Sequence, residues 1–245
     1  MLRLLVGLAL LPLSASLSWV GAKTLAGVAV ASAGAAPFAA GLGLSLAGWL
    51  VARFAVVDPL GPVGWGVRMA RWTYVLGHEM THALAAWALG GSVYGIKVAE
   101  DGGHVDLSHS NAFIALAPYC VPLYVFAVAL GYRAVLWLRP DFAGEALFLG
   151  LMGAALAFHL LLTWDALTQS TQPDLKAAGG VVFSWAVIAA VNGAVVLVLL
   201  KALFPDSVGL LARFKESGRI AFWAWSGAWA AGKPAAVEAW RRFGS

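Results

Sequence analysis

Two histidines, His78 and His82, enclose a glutamate, Glu79, in the run Gly77-His78-Glu79-Met80-Thr81-His82. On a helix, residues i and i+4 lie one turn apart on one face, so both imidazoles can reach a single zinc ion. The carboxylate between them is placed to take a proton from water that such an ion activates. That is the chemistry of metal-assisted peptide hydrolysis. The plainer reading is a polar packing pair. The setting argues against it, because the surrounding stretch from Trp72 to Leu89 is mostly apolar. Ionisable groups at membrane depth are costly and usually mark a function.

Two histidines do not complete a catalytic zinc site, which needs a third protein ligand and one open position. Asp174 is the first candidate. Pro173 ahead of it breaks a helix and lets the carboxylate turn into a cavity. Asp165, after Trp164, is the second, and could equally be a helix-to-helix hydrogen-bond partner. His159 reads as part of a packing or hydrogen-bond network. His104 and His109 read as polar groups at the membrane interface, and Asn192 as an interhelical packing group or a contact to substrate. The lone Cys120 rules out an intrachain disulfide framework and a cysteine-based zinc site.

The elements that must carry these residues are apolar. Of the 245 residues 61% are hydrophobic and only 11% charged, and the mean hydropathy is +0.82. Soluble domains carry about 25% charged residues, so the chain is expected to be an integral, multi-pass membrane protein. Its compact size points to a bacterial cytoplasmic membrane. The formal charge of +4 is spread over loops and tail with no dense basic stripe. It suits contact with lipid headgroups and excludes nucleic acid as the expected partner.

Apolar runs predict an all-α membrane fold of about six transmembrane helices. They cover 4–20, 37–57, 68–89, 112–138, 145–167 and 181–203. The first could instead be a cleaved signal peptide, but a retained span is the expectation. Asp58 to Gly66, with two prolines and three glycines, reads as a loop, and Gly90-Gly91 as a helix C-terminal cap. Ser92 to Ala99 and His104 to Leu107 flank Glu100-Asp101-Gly102-Gly103, hairpin turn chemistry. An open hairpin cannot face lipid, so it must lie at the interface or against a polar cavity. From Pro205 onward Trp223, Trp225, Trp229 and Trp240 mix with basic residues, the pattern of an amphipathic helix in the headgroup layer. The expected organisation is N-terminal transmembrane helices over 1–66, a catalytic membrane core over 67–204 and the interfacial tail over 205–245.

A membrane-helix H-E-x-x-H, then Gly-Gly, a hairpin, a Pro-containing helix and a later Asp beside a Pro resembles the site-2 protease family of intramembrane zinc metalloproteases. The similarity covers about 72–203, and it departs from the family at the second motif. The family commonly reads Leu-Asp-Gly there, often with an upstream Asn; this chain reads Gln172-Pro173-Asp174-Leu175. Ala117-Pro118 stands where the family usually has Gly-Pro. The resemblance implies His78, His82 and Asp174 as zinc ligands, Glu79 as catalytic base, and Ser92 to Leu107 as the hairpin that holds an extended substrate. The implied activity is zinc-dependent endopeptidase cleavage of a transmembrane protein or peptide. A zinc-binding membrane protein without proteolysis, a pseudoprotease or partner-binding protein, is the alternative. A zinc or proton transporter would want more polar residues along a path through the bilayer.

Overall fold

The computed structural model describes residues 1–32, 34–54, 58, 60–99, 102–169 and 172–243, without the side chains of Gln169 and of 234–243. Among these residues the chain forms nine helices and one antiparallel hairpin. Its contacts divide it into two units. One comprises Ala29–Ser184; the other joins Met1–Val28 to Trp185–Ser245.

Every residue of the candidate site lies in the first unit. Helix α2 (Ala36–Phe54) packs along α6 (Glu145–Gln169) through glycines. A Cβ at Gly41 would overlap the Gly150 carbonyl, and one at Gly153 the Phe38 carbonyl. Without a side chain at these points the two backbones touch, the usual device for helix association in lipid. Trp49 adds a polar tie, its Nε1 donating to Asp165 Oδ2 at 2.7 Å. Asp165 is therefore a helix-to-helix partner.

Helix α3 (Pro62–Ala88) carries the H-E-x-x-H run and starts earlier than expected, because Pro62 is favourable in the first helical turn. Much of the expected 58–66 loop is thus helix; Pro59 and Ala55 to Val57 lie outside the described residues. The far end closes as a Schellman motif. Gly90, at φ +76°, donates its N–H to Trp87 O at 3.0 Å, and Gly91 donates to Ala86 O at 2.8 Å.

Strands β1 (Val93–Ala99) and β2 (Gly102–Leu107) pair antiparallel, with Lys97 opposite His104 and a register shift between Val93 and Gly95. Gly102 and Gly103 belong to β2 rather than to the turn; Glu100 and Asp101 lie outside the described residues. The hairpin rests on α3.

The expected single span over 112–138 is two helices, α4 (Ala112–Cys120) and α5 (Leu123–Leu138), bent by 64°. Pro122 causes the break. It has no N–H to offer and disfavours helical geometry at Val121, which adopts φ −102°, ψ 111°. The short helix α7 (Pro173–Ala178) follows α6 and carries Asp174 in its first turn. Ser170 and Thr171, in the link before it, lie outside the described residues.

In the second unit, α1 (Leu2–Ala31) and α8 (Val181–Leu203) approach closely at Gly21 and Gly193; both helices continue beyond this unit. Helix α9 (Leu210–Phe243) covers most of the expected tail. Its first half runs antiparallel along α1. Glu216 pairs with Lys23 at 3.3 Å, Ser217 and Ser16 share a buried hydrogen bond of 2.8 Å, and Trp225 Nε1 donates to Ala9 O at 3.2 Å. Trp223 and Trp229 are exposed. The Trp240 side chain lies outside the described residues.

Four helices, α1, α2, α6 and α8, are long and apolar enough to cross a membrane, and the bent α4–α5 pair would make a fifth span. Helix α3 is not among them. Its two arginines, two histidines and one glutamate lower the hydropathy of a segment whose length would suffice. The expected count of six depended on this helix.

Candidate metal centre

The site is built from α3 upward. Tyr74, His78 and His82 are spaced by four and form one stripe on that helix. The imidazoles of His78 and His82 stand edge to face, 4.9 Å between centroids. Asp174 reaches them from α7. Its Oδ2 lies 3.4 Å from His78 Nε2 and 3.5 Å from His82 Nε2. One ligand atom from each of the three residues falls within 4.8 Å of the others. Ligands about 2.1 Å from a tetrahedral ion stand roughly 3.4 Å apart, so these separations suit one metal ion better than direct hydrogen bonds. The His-His-Asp group could therefore hold a metal ion.

Neighbouring residues orient the three. His82 is buried, and its Nδ1–H donates to the Ile114 carbonyl at 2.9 Å. That bond fixes the tautomer and leaves the Nε2 lone pair for a metal. The Ile114 carbonyl is free to accept because Pro118, four residues on, has no N–H to give it. Asn111 caps α4, its side chain accepting from Ile114 N at 3.0 Å. Small residues make the α3–α4 contact tight: Ala85, Ala86 and Ala117 cluster with Ile114 against Leu107.

Tyr119, fully buried, donates its hydroxyl to Asp174 Oδ2 at 3.0 Å and sets its ring against His78 at 5.0 Å. The loop before Asp174 is held by Gln172, whose Nε2 donates to Ala166 O at 2.9 Å. A carboxylate that ligates a metal does so ionised, and the phenol of Tyr119 donating to Oδ2 favours that form.

Glu79 points elsewhere than its histidine neighbours, as its place one residue on requires. It is buried, and Gly103 of β2 packs on it: a Cβ at Gly103 would stand 2.9 Å from Glu79 Cγ and 2.7 Å from Lys97 O. His78, Glu79, His82 and Asp174 border a cavity of about 1370 Å³ whose walls include Trp49, Arg53 and Arg71 beside the motif. Among the described residues the hairpin contributes only β2 residues, Gly102 to Val105 and Leu107. His104 and His109, expected as interfacial groups, also line this cavity.

Of the expected site residues, His78, His82 and Asp174 come together and Glu79 stands beside them. Asp165 lines the cavity but bonds Trp49, and is not in the metal-holding group. His159 is buried in α6. Asn192 bonds Ile188 O within α8, at 2.9 Å. Sequence reasoning passed over Tyr74 and Tyr119. The four-residue spacing of Tyr74 from His78 is a legible signal; nothing local marks Tyr119. Comparison of the chain with protein-family models, curated proteins and solved structures found no match.

Proposed function

We propose that this chain is a multi-pass intramembrane zinc metalloprotease, an endopeptidase acting on membrane-embedded protein or peptide substrates. The observation that carries the reading is the convergence of His78 Nε2, His82 Nε2 and Asp174 Oδ2 within a cavity, with Glu79 alongside. The motif's resemblance to the site-2 protease family supports it. The donor set fits zinc, which takes imidazole nitrogen and carboxylate oxygen in tetrahedral sites with one position left open.

Bound there, zinc supplies Lewis-acid polarisation of the scissile carbonyl and a water made acidic enough to ionise near neutral pH. The protein does the rest. Glu79 accepts the water proton and returns it to the leaving amine. Tyr119 and the Ile114 carbonyl hold Asp174 and His82 in place. A transmembrane substrate hides its amides in its own helix, so it must unwind locally before attack. Strand β2 pairs with β1 alone among the described residues and faces the cavity, so its other edge is suited to receive the unwound segment.

The test uses detergent-purified full-length protein and a quenched-fluorescent peptide with one Leu/Ala/Gly span of about 20 residues. Wild type should hold one zinc per chain and cleave. Glu79→Gln should hold zinc and not cleave, Asp174→Ala should lose zinc, and Asp165→Ala should keep it. Wild type that binds no zinc after metal repletion, or Glu79→Gln that still cleaves, would refute the reading.

A further inference from the structure

The Tyr74 side chain extends the His78–His82 stripe by one turn and lines the same cavity. Its ring lies 5.8 Å from the His78 ring. The hydroxyl is buried and has no hydrogen-bond partner among the described residues. Glu79, Asp165 and Asp174 line that cavity too, which places Tyr74 beside the site. A buried hydroxyl without a partner costs about 1–3 kcal/mol, and a phenylalanine would fill the same space without that cost. Other hydroxyls around it are bonded: Tyr119 to Asp174, Tyr124 to Thr73 O, and Thr81 to Gly77 O; among the described residues His78 Nδ1 and Thr163 Oγ1 share the lack of a partner. An unsatisfied hydroxyl beside a site calls for an explanation, and a catalytic role is one.

We infer that Tyr74 is a catalytic residue whose hydroxyl donates a hydrogen bond to the carbonyl oxygen of the scissile peptide bond as that oxygen becomes negative. The inference rests on the protease reading above. In the step concerned, water oxygen bonds to the carbonyl carbon while Glu79 takes a water proton. The carbonyl π pair moves onto the oxygen, where the Tyr74 hydroxyl stabilises it and keeps its own proton. The pair then returns, the carbon–nitrogen bond breaks, and the amine leaves with the proton held by Glu79. A donor with no partner among the described residues can stabilise the transition state without having to break an earlier bond.

Tyr74→Phe, in the full chain and with the same peptide, decides the matter. Zinc content should stay at one per chain, and Tm should be unchanged or higher because no bond is lost. With KM within about threefold, kcat should fall about 10²–10³-fold, as for loss of one oxyanion donor. The Kd of a phosphinate analogue of the peptide should rise by the factor by which kcat/KM falls. An unchanged kcat would overturn the assignment, as would a loss of zinc or of Tm, which would make the hydroxyl structural. If wild type itself holds zinc but cleaves nothing, the protease reading fails and this inference falls with it; a cleaving wild type beside an equally active Tyr74→Phe removes the inference alone.

Discussion

His82 donates its Nδ1–H to the carbonyl of Ile114 at 2.9 Å, and Ile114 stands four residues before Pro118. In an uninterrupted helix that carbonyl would receive the N–H of residue 118. Proline withholds it, and the imidazole takes the place. Replacing Pro118 with Ala should restore the competing amide and loosen His82. Zinc affinity, measured by chelator competition, should then fall about 10–100-fold, the usual effect of losing an outer-shell partner. Helical content and Tm should not fall, because alanine is the better helix former. Unchanged zinc affinity would show that His82 does not depend on this bond.

Tyr119 makes the corresponding contact to the carboxylate, with its hydroxyl 3.0 Å from Asp174 Oδ2. That oxygen also faces both histidine Nε2 atoms, and a carboxylate oxygen has lone pairs enough for a phenol and a metal together. Tyr119→Phe keeps the ring packed against His78 and removes only the donor. The expected result is zinc affinity about 10-fold weaker, from a carboxylate free to rotate, with the fold retained. A variant that binds zinc as tightly as wild type would assign Tyr119 to packing.

The residues that could be read from sequence are those whose roles depend on local spacing. The i, i+4 pair of His78 and His82 and the Gly90-Gly91 helix end each act through their immediate neighbours, and both appear as local pattern predicts. Asp174 is legible as a carboxylate beside a proline, but Pro173 opens α7 and the carboxylate meets His78 across 96 residues. What escaped depends on distant partners. Whether Asp165 meets a metal or an indole is decided by Trp49, 116 residues earlier. The phenol of Tyr119 meets Asp174 across 55 residues. Of the two prolines near 120, Pro118 stays within a helix and Pro122 breaks one, a difference that composition alone does not rank. The placing of α3 is the reverse case. Its chemistry is plain in the sequence, yet those polar residues are the ones that keep it from qualifying as a span by hydropathy.

Gly103 is the point where the hairpin bears on α3. A methyl group there would meet Lys97 O at 2.7 Å, Val75 Cγ1 at 2.8 Å and Glu79 Cγ at 2.9 Å. Lys97 O is backbone of the paired strand, so it cannot swing aside, and the cheaper response is for β2 to lift from α3. Gly103→Ala should therefore disturb Glu79 and the β2 edge together, while His78, His82 and Asp174 keep their arrangement. The expected phenotype is full zinc content, a stability loss of about 1–3 kcal/mol from overpacking, and a fall in both kcat and peptide affinity. Measuring zinc, Tm and cleavage on one preparation separates this from damage to the metal ligands. Full activity in the alanine variant would mean that β2 need not sit against Glu79 for the reaction.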